Sequence, residues 1–169
     1  LTGFRNEPFP VELHLSGQSL PQQVYINTGG RRIKMDKVDA DRYHYVYTSL
    51  GEGLAFKFEA NGFYSATQQI NLVERPSLVN FTVALDYPTY TGFKDQRLEN
   101  TGNLIIPEGS EVEWMFQTKH TDELKVFIAG DSVTNETQKS DDELFSFSTV
   151  AKSNLLYTLN LQNEHGANK

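Results

Sequence analysis

Apolar and polar side chains alternate with period two along nearly the whole chain, and helical spacing is almost absent, which predicts an all-β protein. Val11, Leu13 and Leu15 alternate with Glu12 and His14. Val24 and Ile26 lead into Asn27-Thr-Gly-Gly30, a strong turn signal, and Arg32-Ile33-Lys34-Met35 resumes the alternation. Tyr43, Tyr45 and Tyr47 share one face, opposite His44 and Val46. Leu54, Phe56 and Phe58 alternate with Ala55, Lys57 and Glu59, and Asn61-Gly62 makes the next turn. Ser65 to Val73 supplies the last strand of a first unit.

Glu74-Arg75-Pro76-Ser77 is the best boundary, because proline removes a ladder donor and restrains the residue before it. The expected division is a first domain at 1–76 and a second at 77–169. In the second, Phe81, Val83 and Leu85 face inward up to Asp86-Tyr87-Pro88, and residues 89–103 read as irregular and polar. Pro107-Glu-Gly109 is a turn. Val112, Trp114 and Phe116 then line one face, Leu124, Val126 and Ile128 the next, Phe145 and Phe147 another, and Leu155, Tyr157, Leu159 and Leu161 the last. Ser140-Asp-Asp-Glu143 reads as a turn. Short strands separated by turn signals predict two tandem β-sandwiches.

Composition sharpens this in three ways. Hydrophobic residues are 38% of the 169 and include eleven Phe and eight Tyr, bulk that a small sandwich buries efficiently. The net charge of −7 falls entirely on residues 77–169, since residues 1–76 hold equal numbers of acidic and basic side chains. An acidic half argues against nucleic acid or an anionic membrane surface as its partner. The absence of cysteine removes disulfides, thiolate metal sites and a cysteine nucleophile. No apolar run reaches the roughly 18 residues that span a bilayer, and the chain opens on Leu1-Thr-Gly, the expected look of a fragment whose anchor or signal lies elsewhere.

The chain carries two resemblances. Gly109-x-x-Val112-x-Trp114-x-Phe116, with Tyr157-x-Leu159-x-Leu161-x-Asn163-x-x-Gly166, is similar to the B and F strands of immunoglobulin-like domains. In antibody-type members a disulfide joins positions that would fall on Phe116 and Leu159, so the resemblance implies a cysteine-free sandwich in which those two side chains pack instead. The tryptophan stands on the B strand rather than the C strand, which departs from the antibody pattern. Over almost the whole chain, Arg75-Pro-Ser-Leu-Val-Asn-Phe81, Leu85-Asp-Tyr-Pro-Thr-Tyr-Thr-Gly92 and Leu98-Glu-Asn-Thr-Gly-Asn-Leu104-Ile-Ile-Pro-Glu-Gly109 resemble a family of large bacterial envelope proteins of unknown function. These carry repeated Ig-like ectodomains behind N-terminal membrane helices. The resemblance implies a periplasmic or surface-facing ectodomain fragment whose membrane anchor lies outside it, and it transfers no catalytic residue.

Candidate chemistry is thin. His120-Thr-Asp122 lacks a third metal ligand and reads as a loop. Asp36, Asp39 and Asp41, and Asp141, Asp142 and Glu143, do not match a calcium-loop spacing and read as solubilising. No Gly-x-Ser-x-Gly elbow is present. Arg31-Arg32-x-Lys34 is a weak phosphate motif without interleaved aromatics. The Tyr43, Tyr45, Tyr47 face reads as core before it reads as a sugar platform. Asn80-Phe-Thr82 reads as a strand with an outward polar residue.

The expectation is therefore no catalytic, cofactor or metal residues. It is instead a structural or protein-interaction module in the cell envelope, with a carbohydrate-binding sandwich as the alternative. A further expectation concerns the last strand. Asn163-Glu-His-Gly166 reads as a turn into a seventh strand, and Ala167-Asn-Lys169 is too short to form it, which would leave an edge open to homodimeric pairing.

Overall fold

The first strand of the chain, β1 (Thr2–Phe4), runs parallel to β9 (Gln68–Val73), pairing Thr2 with Asn71 and Phe4 with Val73. The computed structural model describes residues 1–129, 135–141, 143–154 and 156–168, and for Asp141 the backbone alone. Apart from one 3-10 turn at Thr89–Thr91, the regular structure among these residues is all strand. The chain divides into two compact units, Leu1–Glu74 and Arg75–Lys169.

Between β1 and β9 lie β2 (Phe9–His14), β3 (Tyr25–Thr28), β4 (Arg31–Lys34), β5 (Asp36–Lys37), β6 (Arg42–Tyr47), β7 (Leu54–Ala60) and β8 (Phe63–Tyr64). One sheet runs β1-β9-β7-β3-β4, with β8 paired to the end of β7. The other runs β2-β6-β5. Alternation puts Ile26, Phe56 and Ile70 of the first sheet and Val11 and Tyr43 of the second into one core, closed by Val24, Met35 and Leu50. This is the strand order of an immunoglobulin-type sandwich with an added strand beside the C position.

The second unit holds β10 (Ser77–Asp86), β11 (Gln96–Glu99), β12 (Glu111–Lys119), β13 (Glu123–Ile128), β14 (Asn135–Glu136), β15 (Gln138–Asp141), β16 (Leu144–Val150), β17 (Tyr157–Asn163) and β18 (Gly166–Ala167). Its sheets run β11-β10-β12-β16-β15 and β14-β13-β17-β18. Apart from the outer strand β11, the first is the A-B-E-D order of an immunoglobulin sandwich, and the second carries C, F and G. Val83, Leu85, Val112, Trp114, Phe116, Leu124, Val126, Phe145 and Leu161 form its buried core. The tryptophan is on β12, the B position.

Several local expectations shift. The turn after β3 is only Gly29-Gly30, both left-handed, and Asn27 and Thr28 stay in the strand. The stretch 65–73 is strand only from Gln68, because Asn61-Gly62 folds Phe63 and Tyr64 back onto β7 first. Residues 89–103 contain β11, whose polar residues pair with β10 from Thr82 to Leu85.

On β17 the deepest side chain is Leu161, and Leu159 is only half-buried. Leu161 is flanked by the returning chain: its N–H donates to Asn168 Oδ1, and the Asn168 N–H donates to its carbonyl. Leu159 has only β13 beside it among the described residues. Gly166–Ala167 does form a strand, pairing with Asn163 and Gln162. Leu155 lies outside the described residues.

Candidate interaction surface

In the first unit the outer face of the β1-β9-β7-β3-β4 sheet carries two rows of side chains. Cross-strand register sets Lys34, Tyr25, Glu59 and Tyr64 side by side, and Arg32, Asn27 and Lys57 in the row beyond. Glu59 is on the solvent parity of its strand yet only 8% exposed, because its neighbours close over it. Arg32 donates to both its carboxylate oxygens, Nε to Oε2 at 3.0 Å and Nη2 to Oε1 at 2.8 Å, and Asn27 Nδ2 donates to Oε2 at 2.7 Å.

The Arg32 guanidinium in turn lies 3.4 Å from the centre of the Tyr25 ring, a cation–π contact. A bidentate fork stacked on an aromatic is the geometry that distinguishes arginine from lysine. The hydrogen bonds from Arg32, and then from Asn27, hold the Glu59 carboxyl below its ordinary value, and Glu59 raises Arg32 in return.

Beside this lock stands a hairpin. Asn61 (φ 50°) and Gly62 (φ 81°) are both left-handed, as a tight two-residue hairpin turn requires. The turn delivers Phe63, 80% exposed, and Tyr64, 62% exposed, at its tip. Ser65 ties the base, accepting the Phe58 N–H at its hydroxyl and sending its own N–H to the Phe58 carbonyl. The exposed aromatics are thus held by a paired backbone. Arg31, Lys34 and Lys57 are exposed nearby and have no acidic partner among the described residues.

The residues singled out from sequence are not brought into this surface, apart from the basic hairpin. Tyr43 is buried and donates its hydroxyl to the Pro21 carbonyl, and Tyr45 and Tyr47 are half-buried with rings edge to face at 5.0 Å. They pack on the core. Asp39 pairs with Arg42 at 2.7 Å, which holds its carboxyl below the ordinary value. His120 is a left-handed turn residue whose carbonyl accepts from Asn163, and Asp122 accepts the Glu164 N–H, so this segment braces a turn. Among the described residues no three such groups converge as metal ligands. The Asp141 and Asp142 side chains lie outside the described residues. Asn80 is exposed on β10.

No family model matches the chain, and no curated protein matches it in sequence. No helix among the described residues is long and apolar enough to cross a membrane.

Two elements of the surface, the Phe63-Tyr64 tip and the closure over Glu59, lie outside the sequence patterns described above. Phe63-Tyr64 directly after Asn61-Gly62 was a legible signal, because Asn-Gly marks a tight hairpin turn and so places the two aromatics beside its tip. Glu59 gave none, since its parity points outward.

Proposed function

We propose that this chain is a non-catalytic structural and protein-interaction module from the ectodomain of a bacterial envelope-anchored protein, facing the periplasm or the cell surface. The observation that carries the interaction reading is the hairpin tip, where Phe63 and Tyr64 are displayed on a hydrogen-bonded scaffold. Exposed large aromatics on a rigid support are what protein interfaces use as anchors, because their area is buried at low cost in rotamer freedom. Around them stand the stacked Arg32 and the unpaired Arg31, Lys34 and Lys57, which favour a partner with an acidic surface. The envelope setting rests on the sequence resemblance.

The test is the Phe63→Ser/Tyr64→Ser double variant, immobilised beside the parent chain and challenged with an envelope extract of the native host. A protein retained by the parent and lost by the variant, with unchanged melting midpoints, supports the reading. The same proteins on both columns would refute it. Fractionation of native cells with an antibody to this chain tests the location, and recovery in the cytosol would remove the envelope setting.

A further inference from the structure

We propose that the second unit carries a pocket for a small zwitterion with an apolar side group, from a free apolar amino acid up to a dipeptide. The cavity is about 520 Å³ and opens at the end of the sandwich where the segment before β12 meets the segment between β16 and β17. That volume is in the range of small-molecule sites, roughly 300–1,000 Å³. It is independent of the hairpin surface of the first unit.

Apolar side chains form its floor and walls, with exposed polar side chains beside them. Val112 and Trp114 form the floor from β12, Tyr157 one side from β17, and Leu104 and Ile106 the other. Trp114 is 5% exposed and packs against both Phe147 and Tyr157, which place its ring at the floor. The two walls are pinned together at their base. Gly109 N–H donates to the Ala151 carbonyl at 2.7 Å, Ala151 N–H donates to the Ser110 carbonyl at 2.8 Å, and the Ser110 hydroxyl donates to the Pro107 carbonyl. The cavity is therefore built into the fold.

Its polar side chains are Glu108, Lys152, Ser153, Asn154 and the Tyr157 hydroxyl, and the two charged ones are of opposite sign. Glu108 and Lys152 both line the cavity and both are exposed, yet they form no ion pair with each other or with any other described residue. Tyr157 reaches only 3.5 Å to the Gly102 carbonyl, the limit of a hydrogen bond, so its hydroxyl proton is available to a better acceptor. A lone anion would meet Glu108, and a lone cation would meet Lys152. A zwitterion satisfies both: carboxylate to Lys152 and the Tyr157 hydroxyl, ammonium to Glu108, side group onto the apolar floor. Both charges are exposed, so solvent screens the pairing and its attraction is modest.

Trp114 is the only tryptophan of the chain, so its emission reports on this pocket alone. L-Phenylalanine and L-phenylalanyl-L-leucine are the probes, neither of which absorbs where tryptophan is excited. Titration of the whole chain should shift Trp114 emission with saturation, at about millimolar for the amino acid.

Lys152→Ala should weaken L-phenylalanine about tenfold but leave its amide unchanged, and Glu108→Gln should weaken it similarly but leave the N-acetyl form unchanged. The Phe63→Ser/Tyr64→Ser variant should bind as the parent does. Both charge variants lie at exposed positions and should keep the parent's melting midpoint. No emission change up to the solubility limit of both probes would overturn the proposal. Binding that ignores the two charge substitutions would overturn it equally.

Discussion

Trp114 lies against Phe147 with ring centroids 5.7 Å apart and planes 29° from parallel, while its buried indole N–H meets no protein acceptor among the described residues. Stacking and area burial hold the ring, and the orphan donor works against them by about 1–3 kcal/mol. Trp114→Phe should therefore be milder than its loss of volume implies, because it removes the unsatisfied donor along with the indole. Denaturant titration should show it costing less than Phe116→Ala. A larger cost would mean that the indole N–H has an acceptor in solution.

Phe116 on the B strand and Leu161 on the F strand are fully buried, and Leu159 is half-buried. Phe116→Ala should destabilise the second unit by about 3–5 kcal/mol and Leu161→Ala by about 2–5. Leu159→Ala should cost visibly less than Leu161→Ala. If the two leucine variants were reversed in order, the anchoring of Leu161 by Asn168 would be the wrong reading of β17.

Acid sensitivity of the first unit should trace in part to Glu59. Its carboxyl is held below the ordinary glutamate value of 4.5 by hydrogen bonds from Arg32 and Asn27. A depressed folded-state value means that the contribution is complete above the unfolded value and is lost as pH falls through the lower folded one. The Arg32 side of the pair is half-exposed, so solvent screening keeps the effect modest. Between neutral pH and about 3, the melting midpoint of Glu59→Gln should fall less than that of the parent chain. Parallel curves would show that the carboxylate is not differentially bound in the folded state.

Gly53 is fixed by its immediate neighbour. A Cβ there would sit 2.8 Å from the Ile70 carbonyl oxygen, which belongs to the backbone of β9 and cannot swing away. Gly53→Ala should cost about 1–3 kcal/mol, the range for overpacking. Gly51→Ala, whose nearest neighbour would be the Asn6 side chain at 3.8 Å, should be near neutral by thermal melting. Equal effects at the two sites would show that the β7–β9 pairing yields to the extra carbon.

The long strands were legible because each had a face to bury. Val112, Trp114 and Phe116, or Leu54, Phe56 and Phe58, repeat at the pleat period, and the core takes up that parity. The elements missed were β1, β5, β8, β11, β14, β15 and β18, two to four residues each. Asp36-Lys37 and Asn135-Glu136 carry nothing apolar, and Gln96–Glu99 carries one leucine. They are strands because a neighbour offers a ladder, a long-range fact with no local signature. The candidate surface was half legible for the same reason. The basic hairpin stood out in the sequence, but its closure on Glu59 depends on a pairing between β3 and β7 that joins residues about thirty positions apart.

The parallel pairing of β1 with β9 sets when the first unit can finish folding. Thr2 to Phe4 must wait for Asn71 to Val73, nearly the full length of the unit, before their ladder exists. Loops of that length close slowly, and a chain emerging in order from the ribosome would hold its first strand unpaired until almost all of the unit was made. The opening segment is thus the last to be secured on the way in, and the part of this sandwich most open to a protease or a chaperone during synthesis.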